Sequence, residues 1–170
     1  MDYKINFDFS TNVNIIGNAL SGKTTLAKYL VNKLDNALLI ENKDIANYYE
    51  YLLILLNNDY KYIIIDDMFT YLTVNERIAF INEATKKNKI VINITTNSKD
   101  LLLMPYIIII NNYEIIIEGN KEAVLGEETL LSHLGIQLPF AYQLSKELKD
   151  YNVINEVCYQ NKELVDLLWK

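Results

Sequence analysis

The chain reads as an α/β protein: a mostly parallel sheet flanked by helices, with a small helical extension at the C terminus. Three observations predict this. Short apolar, β-branched runs alternate with helical stripes from Val13 to Thr95, the pattern of strands joined by crossover helices. A glycine-bearing loop, Gly17 to Thr24, lies between the first of those strands and the first helix. Sheet-forming sequence stops near Gly126, and only helical pieces follow. The expected domains are therefore a core at residues 1–125 and a helical extension at 126–170.

The elements follow in order. Tyr3, Ile5, Phe7 and Phe9 alternate with polar residues and predict a half-exposed strand. Ser10-Thr11-Asn12 is a turn, and Val13–Ile16 is a short strand running into Gly17. Thr24 to Leu34 carries an apolar helical stripe at Leu26, Ala27, Leu30, Val31 and Leu34. Ala37–Ile40 reads as a buried strand, Lys43 to Asn57 as a helix, and Tyr62–Ile65 as an apolar strand. Thr73 and Glu76 form a capping box that opens a helix to about Lys87. Ile90–Thr95 is another strand. Asn97 or Ser98 then caps a short helix that ends before Pro105. Ile107–Ile110 and Ile115–Ile117 flank Asn111-Asn112-Tyr113 as a hairpin. A helical piece at Lys121–Leu125 precedes a tail of three short helices, broken at Gly135, Pro139 and Asn152.

Composition narrows the function classes. The chain has 170 residues, 51% of them hydrophobic, and a net charge of −6. The acidic balance argues against a nucleic-acid partner, which calls for a basic face. Cys158 stands alone, so no internal disulfide forms, which suits a reducing compartment; it reads as a packed apolar residue. The single His133 cannot build a His-based metal site and reads as an ordinary helix residue. The N-terminal segment lacks the basic-then-apolar profile of a signal peptide, and no apolar run approaches a membrane span. The expected location is cytoplasmic, peripheral to the inner face of the cell membrane where a membrane partner holds it.

Gly17-Asn18-Ala19-Leu20-Ser21-Gly22-Lys23-Thr24 matches G-x-x-x-x-G-K-[ST], the Walker A or P-loop pattern. The chemistry needs that spacing. Successive backbone N–H groups wrap a phosphate, and a side chain at Gly17 or Gly22 would obstruct the approach. The helix that starts near Lys23 aims its N-terminal N–H groups and dipole at the same anion. Residues 17–25, Thr25 included, are the expected nucleotide-binding set. Lys23 reaches the β and γ phosphates and also serves catalysis. The Thr24 hydroxyl coordinates Mg²⁺, which prefers few protein ligands. The fold expectation is thus a P-loop NTPase, with ATP and Mg²⁺ as cofactors.

Tyr62-Ile63-Ile64-Ile65-Asp66-Asp67 is an apolar strand ending in two acids. A parallel strand next to the loop's own strand would set Asp66 beside Thr24, where it completes the metal site. Asp67, one residue closer to the γ-phosphate, would orient or deprotonate an attacking water. Its side chain is one methylene shorter than glutamate, a difference that costs rate.

These features together resemble the ATP-binding subunits of ABC transporters. Gly17–Thr24 matches their Walker A and Ile63–Asp67 their Walker B. Lys89–Asn97 matches the strand leading to their switch histidine, and Tyr106–Leu125 their closing hairpin and the short helix after it. Leu131–Ile154 with Asn161–Leu168 resembles the C-terminal extension of the energy-coupling-factor (ECF) ATPases, which serve vitamin and metal-ion uptake; there the extension helps pair two ATPase subunits. The departures are specific. Only about forty residues separate Lys23 from Asp66, where the family places a helical subdomain between a glutamine loop and a signature loop. Glu41-Asn42 stands where the glutamine loop should start, and no Leu-Ser-Gly-Gly-Gln-like segment precedes the Tyr48–Asn57 stretch. Asp67 stands at the catalytic-glutamate position and Asn97 at the histidine position. No clear aromatic is placed to stack on adenine, Tyr3 being too close to the loop.

The resemblance implies a shortened ATP-binding subunit that lacks the helical subdomain and signature motif. The expected function is Mg-ATP binding with hydrolysis slow, absent or partner-dependent; any enzymatic activity is that of an ATPase. Implied partners are another ABC-type ATPase subunit, a second copy of the chain, or a membrane transporter subunit. Three alternatives compete: an active ATPase subunit of a transport complex, a non-catalytic interaction module, and a small P-loop kinase. The kinase is disfavoured because the chain's one arginine, Arg77, lies on a predicted helix rather than a lid.

Overall fold

The computed structural model describes residues 3–41 and 45–169. It divides into two compact units, Met1–Val124 and Leu125–Lys170. The first unit is built on a six-stranded sheet of β1 (Val13–Ile16), β2 (Ala37–Ile40), β3 (Tyr62–Asp66), β4 (Ile90–Thr95), β5 (Tyr106–Asn111) and β6 (Glu114–Asn120), in the order β2-β3-β4-β1-β5-β6. All neighbours pair in parallel except β5 and β6, which form an antiparallel hairpin at one edge.

The uniformly apolar strands are explained by burial on both faces. Ile63 and Ile65 of β3 pack with Leu52 of α2 (Tyr48–Leu55) and Phe80 and Ala84 of α3 (Val74–Lys86). Their neighbour Ile64 points the other way, into a cluster with Leu26, Ala27 and Leu30 of α1 (Lys23–Lys33) and Ile92 and Ile94 of β4. One strand thus feeds two cores, because successive side chains point to opposite faces and here both faces are apolar.

Helix starts follow their sequence signals. Thr73 caps α3 in a full capping box with Glu76. Left-handed Asn88 follows its last turn. α2 begins at Tyr48, capped by Asn47, later than the expected helix at Lys43; Lys43 and the Asn42 of the expected glutamine-loop position lie outside the described residues. The segment after Asn97 is a 3-10 turn, Ser98–Leu102, with Asn97 as its cap.

Two expectations are corrected. The Tyr3–Phe9 segment is not a strand. It keeps its alternating burial but anchors by side chain, with Asn6 donating through its backbone N–H and its amide to Glu118 Oε1 at 2.8 and 2.7 Å. A ladder needs a partner backbone, and alternation alone does not supply one. The second correction concerns neighbours: β3 does not lie next to β1, because β4 runs between them. Parallel pairing is non-local, so the local pattern of β3 carries no record of its neighbour.

The second unit contains α5 (Glu128–His133), α6 (Phe140–Asp150) and α7 (Asn161–Leu168); α4 (Lys121–Gly126) bridges the boundary. Ala141, Ile154, Cys158 and Leu164 form its small apolar cluster. Cys158 is buried and lies between α6 and α7, where its N–H donates to Ser145 Oγ at 2.8 Å.

Candidate functional site: a glycine-bearing loop beside two carboxylates

The loop springs from the C-terminal end of β1. Gly17 fits there because a Cβ would lie 2.3 Å from the Ile110 carbonyl oxygen of β5. Gly22 has φ 100, and α1 begins immediately after it. No side chain caps that helix N-terminus, and its first turn carries no acid. Its free N–H groups and positive dipole end are therefore left for an outside anion.

Lys23 is almost fully buried, and its ammonium curls back over the loop. Nζ donates to the carbonyls of Gly17 at 2.8 Å and Asn18 at 2.7 Å. Burial pulls its pKa down from the usual lysine range, opposed by the negative charges of Asp67 and Asp66. Ser21 N–H donates to the Asn18 carbonyl at 3.2 Å and closes the turn. Leu20 is held at φ 63 with 93% of its surface exposed, so a large apolar residue occupies a left-handed position at the loop's crest.

Thr24 and Asp66 come together, with Thr24 Oγ1 donating to Asp66 Oδ2 at 2.7 Å. They meet although β4 intervenes. Strand register aligns Asp66 with Ile94 and Ile94 with Ile15, so all three strands end level and α1 returns over their ends. Burial raises the Asp66 pKa, with Asp67 repelling in the same direction and the Thr24 hydrogen bond opposing. Its other oxygen, Oδ1, is buried with no hydrogen-bond partner. An orphaned carboxylate oxygen beside a threonine hydroxyl fits a divalent cation that takes few protein ligands. Among the described residues there is no group of three or more His, Cys, Asp or Glu that could form a protein-only metal cage.

Asp67 is placed differently. It sits at φ 56, its N–H donates to the Ile94 carbonyl at 2.8 Å, and its Oδ1 accepts from Thr96 N–H at 3.0 Å. Asn97 is similarly engaged, its Oδ1 accepting from Lys99 N–H at 3.1 Å. Both residues occupy the rim beyond β3 and β4, where the sequence places them, and both cap local backbone.

Several residues escaped the sequence reading. Arg77 lies on a helix, as expected, but its partners carry no sequence signal: it is buried, with Nε donating to the Leu72 carbonyl at 3.1 Å and NH1 to Asp100 Oδ1 at 2.5 Å. It joins the segment after Asp67 to the one after Asn97. Asn14 and Asn93, on adjacent central strands, extend this network, with Asn93 donating to Asn14 and Asn14 to the Asp100 carbonyl. A polar residue inside an apolar strand was the available signal. Tyr113 is more than a turn residue: its N–H donates to the Ser21 carbonyl at 2.8 Å.

No protein-family model matches the chain. It is 32% identical over 84 residues to the energy-coupling factor transporter ATP-binding protein EcfA1 of Mesomycoplasma hyopneumoniae (strain 7448), covering 49% of this chain and 29% of that protein. It is 32% identical over 85 residues to EcfA, of the same description, from Malacoplasma penetrans (strain HF-2), covering 50% and 30%. The match therefore spans less than a third of the length of these relatives. Among solved structures, a bacterial Atm1-family ABC exporter with ATP bound superposes with a TM-score of 0.56 at 9% identity, covering 74% of this chain and 36% of that one. At that identity the likeness is one of fold. Among the described residues no helix is long and apolar enough to cross a membrane. On these grounds the chain is similar, over about half its length, to the ATP-binding proteins of energy-coupling factor transporters, and its fold is a mostly parallel α/β sheet flanked by helices.

Proposed function

We propose that this chain is a minimal ATP-binding protein of the ABC/ECF type, which binds Mg-ATP through residues 17–25 and hydrolyses it slowly, not at all, or only with a partner. The observation that carries this reading is the pairing of Thr24 with Asp66, whose second oxygen has no partner, beside an uncapped helix N-terminus. Thr24 and Asp66 would hold the magnesium, which supplies Lewis-acid charge neutralisation at the phosphate oxygens. Lys23 exchanges its bonds to Gly17 and Asn18 for phosphate oxygens. A bound anion favours the charged amine, against the burial that lowers its pKa.

Slow hydrolysis is supported by what Asp67 and Asn97 already do. Each uses a side-chain oxygen to cap nearby backbone. Reorienting either toward a water breaks a local hydrogen bond. The resemblance adds that the segment able to complete a neighbour's ATP site is missing. Isothermal titration of ATP with Mg²⁺, and then with chelator, tests the binding reading; absence of binding at millimolar ATP rejects it in favour of an interaction module. Turnover of tens per second that depends on Lys23 rejects the slow-hydrolysis reading.

Partnership with a second ABC-type ATPase, a second copy, or a membrane transporter subunit follows from the named relatives, which are transporter ATP-binding proteins. It implies a cytoplasmic protein on the inner membrane face. Co-purification with such a subunit, and ATPase activity only in the mixture, is the expected result for the partner-dependent form.

A further inference from the structure

The hairpin at the sheet edge carries a residue its turn does not call for. Asn112 and Tyr113 are the two central residues between β5 and β6, at φ 47 and φ 64. A two-residue turn with both φ positive favours asparagine followed by glycine. Asparagine is present, but tyrosine stands in the glycine place. A bulky residue held left-handed is a strained choice that its surroundings must maintain.

Two contacts maintain it, and both are to the phosphate-binding loop. Tyr113 N–H donates to the Ser21 carbonyl at 2.8 Å. The ring lies against the Gly22 backbone, so close that a Cβ on Gly22 would sit 2.6 Å from Cδ1 and 3.0 Å from Cγ. Yet 44% of Tyr113 remains exposed. The other tyrosine at this place, Tyr3, is spent: it is buried, donates its hydroxyl to the Gly22 carbonyl at 3.4 Å, and packs edge-on against Tyr29.

The sheet order fixes the polarity of the site. Asp66 and Asp67 lie on the β3 and β4 side of β1, and the hairpin lies on the opposite, β5 side. A nucleotide whose metal-bound terminal phosphate is held near Asp66 extends away from that side. We propose that the exposed part of the Tyr113 ring receives the base of a nucleotide whose phosphates the loop holds, by stacking. This rests on the nucleotide-binding reading above and assigns its base subsite to the hairpin. Stacking on an aromatic is tolerant of base identity, so adenine and guanine triphosphates are both accepted.

The test compares ATP, GTP and inorganic tripolyphosphate, each with Mg²⁺, by calorimetric titration of the whole chain and its Tyr113→Phe and Tyr113→Gly variants. Glycine suits the turn, so the Tyr113→Gly chain should melt no lower than the parent. The proposal expects the parent to bind ATP about tenfold more tightly than tripolyphosphate. Tyr113→Gly should remove that margin for ATP and GTP alike and leave tripolyphosphate unchanged, while Tyr113→Phe keeps the margin. Equal affinity of the parent for ATP and tripolyphosphate overturns the base subsite alone. So does an equal loss for all three ligands in Tyr113→Gly, which would make the ring a support for the loop. Failure of the parent to bind any of them overturns the nucleotide reading as well.

Discussion

The two ends of the candidate site are built in contrasting ways. Around the loop, acceptors and donors are left open: an uncapped helix N-terminus, a lysine bonded to carbonyls of its own loop, and, reaching Thr24 from the end of β3, an Asp66 with one unpartnered oxygen. At the rim beyond β3 and β4, Asp67 Oδ1 and Asn97 Oδ1 accept from Thr96 and Lys99 N–H. The first arrangement keeps polar groups open to a ligand; the second spends one oxygen of each side chain on its own backbone. The difference teaches that holding a phosphate and cleaving it impose separable demands. Holding needs a loop whose polar groups await a partner. Cleaving needs a base and a switch residue free to turn toward water.

Breaking the holding end should give the largest effect. Lys23→Ala removes charge-assisted bonds to phosphate, each worth roughly 1.5–3 kcal/mol, so ATP affinity should fall roughly ten- to a hundredfold by calorimetry. Gly17→Ala forces a Cβ to 2.3 Å from the Ile110 carbonyl oxygen, which is backbone and cannot swing aside. Overpacking of this kind costs about 1–3 kcal/mol. Thermal melting should drop by about 3–10 °C.

Asp66 sharpens the contrast through pH. Burial raises its pKa, so the folded chain holds that proton more tightly than the unfolded chain. The associated stability is complete below the ordinary value of 3.8 and is lost as pH rises through the raised folded value. Asp66→Asn removes this loss. Without Mg²⁺ the variant should melt above the parent near neutral pH, with the gain shrinking as pH falls toward 3.8, while Mg²⁺-dependent tightening of ATP disappears. A smaller gain is expected from Leu20→Gly, which relieves a left-handed leucine worth about 1–2 kcal/mol of strain and should raise the melting point by a few degrees. The smallest effect belongs to the rim. Asp67→Glu with Asn97→His together should raise turnover only slightly, because the segment able to complete a neighbour's site is still missing; a rise of roughly 10² or more, the scale of general acid–base catalysis, would show that those two side chains alone limit it.

Much of this arrangement was legible residue by residue. The Gly-Lys-Thr spacing of the loop, the Thr73 capping box and the apolar runs of β2 and β4 are local signals, and each acts over a few residues of backbone geometry. Adjacency of β3 to β1 would bring Asp66 beside Thr24, but β4 lies between the two strands. The meeting survives because β1, β4 and β3 end in register. The Arg77–Asp100 clamp and the Tyr113–Gly22 contact join residues far apart in the chain, and no periodicity marks them.

The amino-acid sequence by itself therefore determined the alternation of elements, the Gly17–Thr24 loop before α1 and the acids that end β3, because dihedral preferences, capping and apolar periodicity are properties of short stretches. Tertiary structure alone decided the interposition of β4, the burial of Arg77, the local engagement of Asp67 and Asn97, and the seat of Tyr113 on the loop. Those outcomes depend on which strand ends lie level and which side chains then meet. They are set by packing and register across the sheet, and no single segment of the chain encodes them.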